Sequence, residues 1–517
     1  PEFKPILRAK AIAFENASGR DHAVLDELGN TVLYGHPDAQ SILTRIQVEN
    51  DRLLLLRNTV EGERPAGFVS YREIGNDELF GVLKDMELAN LVRGKSSREI
   101  LLITGIYARE ENAGDSEVIR DAPQQLLVEV LAKELEKNYS FALFVAERGT
   151  TTKEVVYALE RQGFIRPQLA DESDKRTVYM VDMHEPLMFL HNLETTIKEP
   201  FASNPAVLDA IEKNHRKLQI AMTKLYPGNL VISLSSGVMH HRLVDRITAL
   251  NDVPREPLVP RRLGKNMCVP FGKILRGKVV PNTVTKTLHT DKVYEPDLNS
   301  FTIEPFPYYS PLKSQIETIK SFDRPVILVD DLVHKADRLQ VLVPQLREDG
   351  IPIRKVVVGV LSGYGRDLMQ CLKVPVESIY SMPNLRQWFV ESTLYPFIGG
   401  DTVRREEMKV AGLQPSINMI LPYTTPRLEG CGREALFDFS ECCLENARDL
   451  FRMLEGLYRA QYGRNLTLAR LSEAVILPLC PDKGSCMSYD ENLAPSVYLE
   501  NDLELLRRTR AFALGGE

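Results

Sequence analysis

A multidomain α/β fold is what this sequence predicts, and three observations carry the prediction. Val326-Ile-Leu-Val-Asp-Asp331 sets four apolar residues directly before two carboxylates. That is the pattern of a buried parallel strand delivering its last side chains to the crevice where open α/β sheets bind ligands. Residues 1 to about 185 alternate strand-like and helix-like segments, as in a chain that lays helices on a sheet. Residues 432–462 carry Leu436, Phe439, Leu444, Ala447, Leu450, Phe451, Leu454 and Leu457 at helical spacing. A chain of 517 residues is too long for one core. The expected layout is an N-terminal α/β domain over 1–185, a helical connector over 186–226, a central parallel-sheet domain over 227–400 and a mainly helical C-terminal region over 401–517.

The elements follow in order. Residues 64–73 and 100–107 read as strands, 124–137 as an amphipathic helix and 141–145 as a third strand. Thr151-Thr152 caps a helix over 153–162 that stops at Gly163 and runs into Phe164-Ile165. Residues 204–225 are a helical lead-in. The central domain is then expected to open on a strand over 228–234, followed by a Ser235-Ser-Gly237 turn and a helix over 239–250. A short strand near 266–269 and a Lys-bearing segment over 272–294 precede the acid-bearing strand. After it come a helix over 339–348, a turn at Asp349-Gly350 and buried strands over 355–361 and 376–380. Parallel strands with helical crossovers are the economical arrangement. A further amphipathic stretch covers 466–475.

Composition excludes some function classes. A net charge of -7 argues against a nucleic-acid scaffold. No apolar run is long enough to span a bilayer, and the first residues lack a leader pattern, so a cytoplasmic protein is expected. Pro1-Glu-Phe3 reads as an appended scar, and the native chain could extend upstream. Seven irregularly spaced cysteines make no disulfide framework. Cys442-Cys443 and Cys480 with Cys486 lack the C-x2-C spacing of a zinc site, so reduced thiols are the expectation. His240-His241 reads as packing or surface, and Trp388 as core. The helical C-terminal region would serve packing or a homo-oligomer.

Gly67-Phe-Val-Ser-Tyr71, the strand ending at Tyr107, and Val155-Val-Tyr-Ala-Leu-Glu-Arg-Gln-Gly-Phe164 resemble the Gcn5-related acyltransferase superfamily over about a third of the chain. The resemblance implies acetyl-coenzyme A held at a splayed pair of central strands, with its pyrophosphate at a helix N-terminus. The corresponding stretch, Arg120-Asp-Ala-Pro-Gln-Gln125, has no glycine and one proline. Leu159 stands where the family often places a general-acid tyrosine, and Tyr157 lies two residues earlier.

The order of elements over 228–380, with the acid-bearing strand at its centre, resembles the type I phosphoribosyltransferases. The resemblance implies a phosphoribosyl diphosphate-like or nucleotide ligand with magnesium, reacting at the ribose anomeric carbon. Asp330 and Asp331 would be the catalytic pair holding the ribose hydroxyls. His334, Lys335, Ala336, Asp337 and Arg338 would form the 5′-phosphate loop, and Ser235, Ser236 and Gly237 the pyrophosphate loop. Lys273 and Lys286 would belong to a mobile flap, together with Arg276, Lys278 and Lys292. The family's phosphate loop is rich in Thr and Gly, so Asp337 is a departure. Two like charges 4 Å apart repel by about 4 kcal/mol at an effective dielectric near 20. Asp337 therefore points away, pairs with Lys335 or Arg338, or marks a different ligand. Two alternatives stand beside a transferase acting at ribose: a non-catalytic nucleotide sensor or assembly protein, and an acyltransferase acting through the N-terminal domain.

Overall fold

The computed structural model describes every residue except 1–11, 59–61, 97, 110–120, 148–150, 169–175, 257–261, 273, 276–279, 308, 406–409, 411, 427, 484–487 and 515–517. Pro1-Glu-Phe3, Lys273, Arg276, Lys278, Arg120 and Cys486 thus lie outside the described residues. The protein is a mixed α/β structure with several sheets. It divides into two compact units, residues 1–188 with 222–234 and 382–387, and residues 189–221 with 235–381 and 388–517.

The first unit is built on β1 (Ile12–Ser18), β2 (Arg52–Asn58), β3 (Arg64–Ile74), β4 (Ile100–Ala108), β5 (Phe141–Glu147), β6 (Arg176–His191) and β7 (Asn229–Ser235), adjacent in that order. Pairing is antiparallel from β1 to β4 and between β5 and β6, but parallel between β4 and β5. Its helices are α1 (His22–Asn30), α2 (Ala39–Glu49), α3 (Leu79–Leu83), α4 (Met86–Lys95), α5 (Ala122–Glu134) and α6 (Lys153–Arg161). Leu53, Leu54, Leu55 and Leu56 are all fully buried, which explains an apolar run without alternation. Leu53 and Leu55 pack with Leu28 and Ile46 of α1 and α2, so their neighbours at odd spacing face the other side of the sheet. Each such leucine contributes about 2 kcal/mol by leaving water.

The second unit opens with α7 (Pro205–Thr223) and α8 (Ser236–Leu250). Its first sheet runs β14 (Val376–Met382), β13 (Ile353–Ser362), β12 (Val326–Val333), β8 (Met267–Pro270) and β9 (Val284–Thr285). Pairing is parallel from β13 through β9. The second sheet orders β11 (Phe301–Pro305), β10 (Thr290–Tyr294), β16 (Asp401–Val403), β17 (Gln414–Ile417) and β18 (Leu479–Pro481). Between them in sequence lie α9 (Leu312–Lys320), α10 (Asp337–Glu348) and α11 (Gly363–Cys371), whereas a short β15 (Gln387–Val390) pairs with β6 as the eighth strand of the β1–β7 sheet. The chain closes with α12 (Arg433–Tyr462) and α13 (Pro495–Leu514).

Four expectations need correction. The strand over 228–234 does not open the parallel sheet: as β7 it pairs with β6 in the first unit. Its apolar run satisfies any buried sheet, so composition could not assign it. Ser235-Ser-Gly237 is not a loop, because Ser235 is the N-cap of α8 and its hydroxyl accepts the Val238 N–H. The region after 401 is only partly helical, since it supplies β16, β17 and β18. Residues 466–475 form a 3-10 turn over Leu468–Glu473 rather than an amphipathic helix. The apolar stripe of α12 is buried and packs on α13 within the chain. Among the described residues no helix is long and apolar enough to cross a membrane.

Candidate functional site

In the first unit the feature of chemical interest is a divergence of strands. The β4 and β5 pairing covers Leu101 with Ala142, Leu102 with Leu143 and Ile103 with Phe144, and stops there. Both strands continue, β4 to Ala108 and β5 to Glu147. The register of β4 against β3 slips at the same point, leaving Thr104 as the extra residue of a bulge. The Thr104 hydroxyl donates to Asp51 Oδ2 at 2.5 Å and lies 2.8 Å from the Ser70 hydroxyl. Asp51 is fully buried, and that burial raises its carboxyl above the usual range while the Thr104 hydrogen bond and Arg45 pull it back. The bulge is therefore fastened at a polar knot, and beyond it β4 peels away from β5. Leu159 is fully buried and offers no acid, whereas Tyr157 is 39% exposed on another face of α6. Pro123 lies in the first turn of α5, where its missing N–H subtracts one donor from the helix start.

In the second unit the acids stand at the carboxyl end of β12. Asp330 is 8% exposed, and burial pushes its carboxyl up to about 6, with Arg338 drawing it down and Asp331 raising it. Its Oδ1 accepts the Asp331 N–H at 2.9 Å and Arg338 Nη1 at 3.5 Å. Asp331 is more open, and its Oδ1 lies 3.0 Å from His240 Nε2 on α8. That contact brings the helix capped by Ser235 to the acids and gives His240 a polar role that its sequence position did not announce. Ser236 is 2% exposed and its hydroxyl has no hydrogen-bond partner.

The loop after β12 resolves the question posed by Asp337. Its carboxylate accepts Lys292 Nζ at 2.7 Å, a partner from β10 rather than Lys335 or Arg338. Burial pulls the Lys292 ammonium down, but Asp337 and Tyr294 outweigh it and hold the group above its usual range. The Lys292 charge also sits 3.8 Å from the Phe301 ring centroid. Both partners are about a quarter exposed, so a Lys292→Met and Asp337→Asn double-mutant cycle should give a coupling of about 1 kcal/mol in urea unfolding. Additive single effects would remove the pair as a stabilising contact.

Ala336 has φ 53°, the left-handed region, at the N-cap of α10. An L side chain there costs roughly 1–2 kcal/mol, and glycine returns about half of the relief as unfolded-state entropy. Ala336→Gly should therefore raise the urea midpoint, by a net of about 0.5 kcal/mol. A lower midpoint would show that the alanine methyl packs usefully.

His334 Nδ1 lies 2.8 Å from the Ser362 hydroxyl, which accepts the Gly365 N–H as the cap of α11. Burial and the neighbouring Lys335 hold its imidazole below its usual value. Its ring meets Trp388 at 5.0 Å and Tyr364 at 5.7 Å. Trp388 is thus partly exposed beside the loop rather than core. Lys335 is exposed, as is Lys286, whose charge with burial lowers the His289 imidazole. Asp330, Asp331, Arg338 and His240 come together, and Asp337 joins Lys292. Lys286 engages none of the acids in a described contact, and Lys292 was recognisable in sequence only as one of several flap lysines.

No family model matches this sequence, and no curated protein does. Solved structures are similar over about a third of the chain. One is a putative acetyltransferase of the GNAT family from Desulfovibrio desulfuricans, at 13% identity and TM-score 0.23, covering 34% of this chain and 99% of that one. Another is the catalytic domain of Tetrahymena Gcn5 histone acetyltransferase in complex with coenzyme A, at 10% identity and TM-score 0.22, covering 34% and 93%. A third is the AHL synthase LasI, at 12% identity and TM-score 0.23, covering 33% and 90%.

Proposed function

We propose that the protein is an acyl-coenzyme A-dependent acyltransferase acting through its first unit. The observation that supports this reading is the divergence of β4 and β5 beyond Ile103 and Phe144. Where two strands separate, backbone N–H and C=O groups on both lose their ladder partners and need others. A pantetheine arm carries amides at strand-like spacing and can pair with the opened length of Thr104 to Ala108, in the manner of an added strand. Bound acyl-coenzyme A would supply an activated thioester, and backbone N–H groups of the opened β4 would polarise its carbonyl for an acceptor's attack. Calorimetric titration of the full chain with acetyl-coenzyme A should give 1:1 binding, with Kd of about 1–100 μM. No binding near 1 mM would sink the proposal.

A second reading rests on the paired acids of the second unit. Asp330 and Asp331 end a buried parallel strand, and the chain then turns through left-handed Ala336 into α10. Carboxylates so placed suit ribose hydroxyls, and their hard oxygens suit magnesium. The first turn of α10, with Arg338, would face an anion. Titration with phosphoribosyl diphosphate and magnesium tests this reading. Heat from the wild-type chain that vanishes in Asp330→Asn/Asp331→Asn supports it, and equal heats from both proteins, or none from the wild type, reject it.

A further inference from the structure

A buried cluster of His191, His215 and Glu391 lies in the second unit. His191 ends β6, His215 sits on α7, and Glu391 begins the 3-10 turn Glu391–Leu394. The three offer two imidazole nitrogens and a carboxylate oxygen within 4.8 Å of one another, and all three residues are buried. We propose that they bind one divalent transition-metal ion of the zinc class.

Four observations support the assignment. The donor set has the right chemistry, since two imidazoles and a carboxylate suit zinc and its neighbours and do not suit calcium or magnesium. The donors also have suitable spacing: ligands about 2.0–2.2 Å from a tetrahedral centre stand about 3.4 Å apart. Here His215 Nε2 is 2.7 Å from Glu391 Oε2, and the widest separation in the set is 4.8 Å, so movements of about an ångström would accommodate an ion.

The polar atoms are also poorly satisfied by one another. His215 Nε2 and Glu391 Oε2 stand 2.7 Å apart as an ion pair, so these two donors already face a common point. Glu391 is 0% exposed and its Oε1 has no hydrogen-bond partner, and neither has Oε2 of buried Glu194. Buried Glu194 also acts electrostatically on both His215 and Glu391, adding negative charge around the three donors. Orphaned carboxylate oxygens in a protein interior are costly, and a bound cation removes that cost.

The frame is also held independently of the ion. The Asn192 side chain donates to the Ser392 hydroxyl at 3.0 Å and accepts the Ser392 N–H at 2.9 Å, clamping the residues beside His191 and Glu391. Leu193 N donates to Glu391 Oε2 at 3.3 Å. Asn214 and Asn446 exchange reciprocal amide bonds next to His215 and tie α7 to α12. A metal here would join three segments that are distant in sequence and already positioned.

Metal analysis of the full chain, stripped by chelator and dialysed against zinc, should find about one equivalent. The zinc form should melt at a higher temperature than the stripped form, and cobalt(II) loading should give four-coordinate bands without thiolate charge transfer. His191→Ala and Glu391→Gln should each lose the bound zinc and the melting shift while keeping the wild-type circular dichroism. Three results would overturn the proposal: a stripped wild-type chain that takes up no zinc or cobalt, uptake unchanged in both variants, or a thiolate band placing the metal on cysteines. The cobalt spectrum of the wild type decides the matter even if a variant fails to fold.

Discussion

Gly359→Ala is expected to destabilise the second unit by about 2–3 kcal/mol, near the upper end of the usual cost of overpacking. Gly359 lies on β13, where α8 rests directly on the sheet. A Cβ at this position would stand 2.1 Å from Met239 Sδ and 2.7 Å from the Asp331 carbonyl oxygen. The methionine side chain can swing away, but the carbonyl belongs to β12 and moves only with the strand. Met239→Ala should therefore rescue part of the loss and leave the rest. The change also reaches the acids, because Met239 adjoins His240, whose ring contacts Asp331. Urea unfolding of the two single variants and the double variant checks this. A Gly359→Ala protein within about 0.5 kcal/mol of wild type would show that α8 is free to shift.

Asp330→Asn should do the opposite at neutral pH and above. The Asp330 carboxyl is pushed up from 3.8 to about 6, chiefly by burial. A carboxyl raised in this way holds its proton more tightly when folded than when unfolded. The resulting stability is fully present below 3.8 and is lost as pH rises through about 6. Above that window the native protein carries a desolvated charge that Arg338, at 3.5 Å, and the Asp331 N–H, at 2.9 Å, offset in part. Asparagine carries none, so the variant should gain on the order of 2–3 kcal/mol at pH 8, about two pKa units' worth. The gain should shrink steadily toward pH 4. A variant less stable than wild type at pH 8, or a gain independent of pH, would show that the carboxylate is better satisfied than its burial implies. Magnesium that binds these acids would reduce the gain.

Much of the architecture was legible because burial writes itself into sequence. Val326 to Val329 are fully buried and were readable as such from four apolar residues in a row. The α6 helix shows its Thr152 cap and its Gly163 stop in plain order. Partners distant along the chain were not legible. Lys292 reaches Asp337 across 45 positions, and nothing at either residue specifies the other. The His191, His215 and Glu391 cluster has no motif, since its members come from a strand end, a helix and a turn. Ala336 hid a left-handed conformation because sequence flags that geometry through glycine.

The membership of β7 has a consequence for biosynthesis. The first unit is discontinuous: residues 222–234 and 382–387 join it after long excursions into the second. A fragment ending at residue 188 would leave the β6 edge without β7, an open strand inviting aggregation. On the ribosome residues 382–387 of the first unit emerge only after residues 235–381 of the second. Completion of the first unit is thus expected late in synthesis, and a nascent chain stalled before residue 382 should be the species most dependent on chaperones.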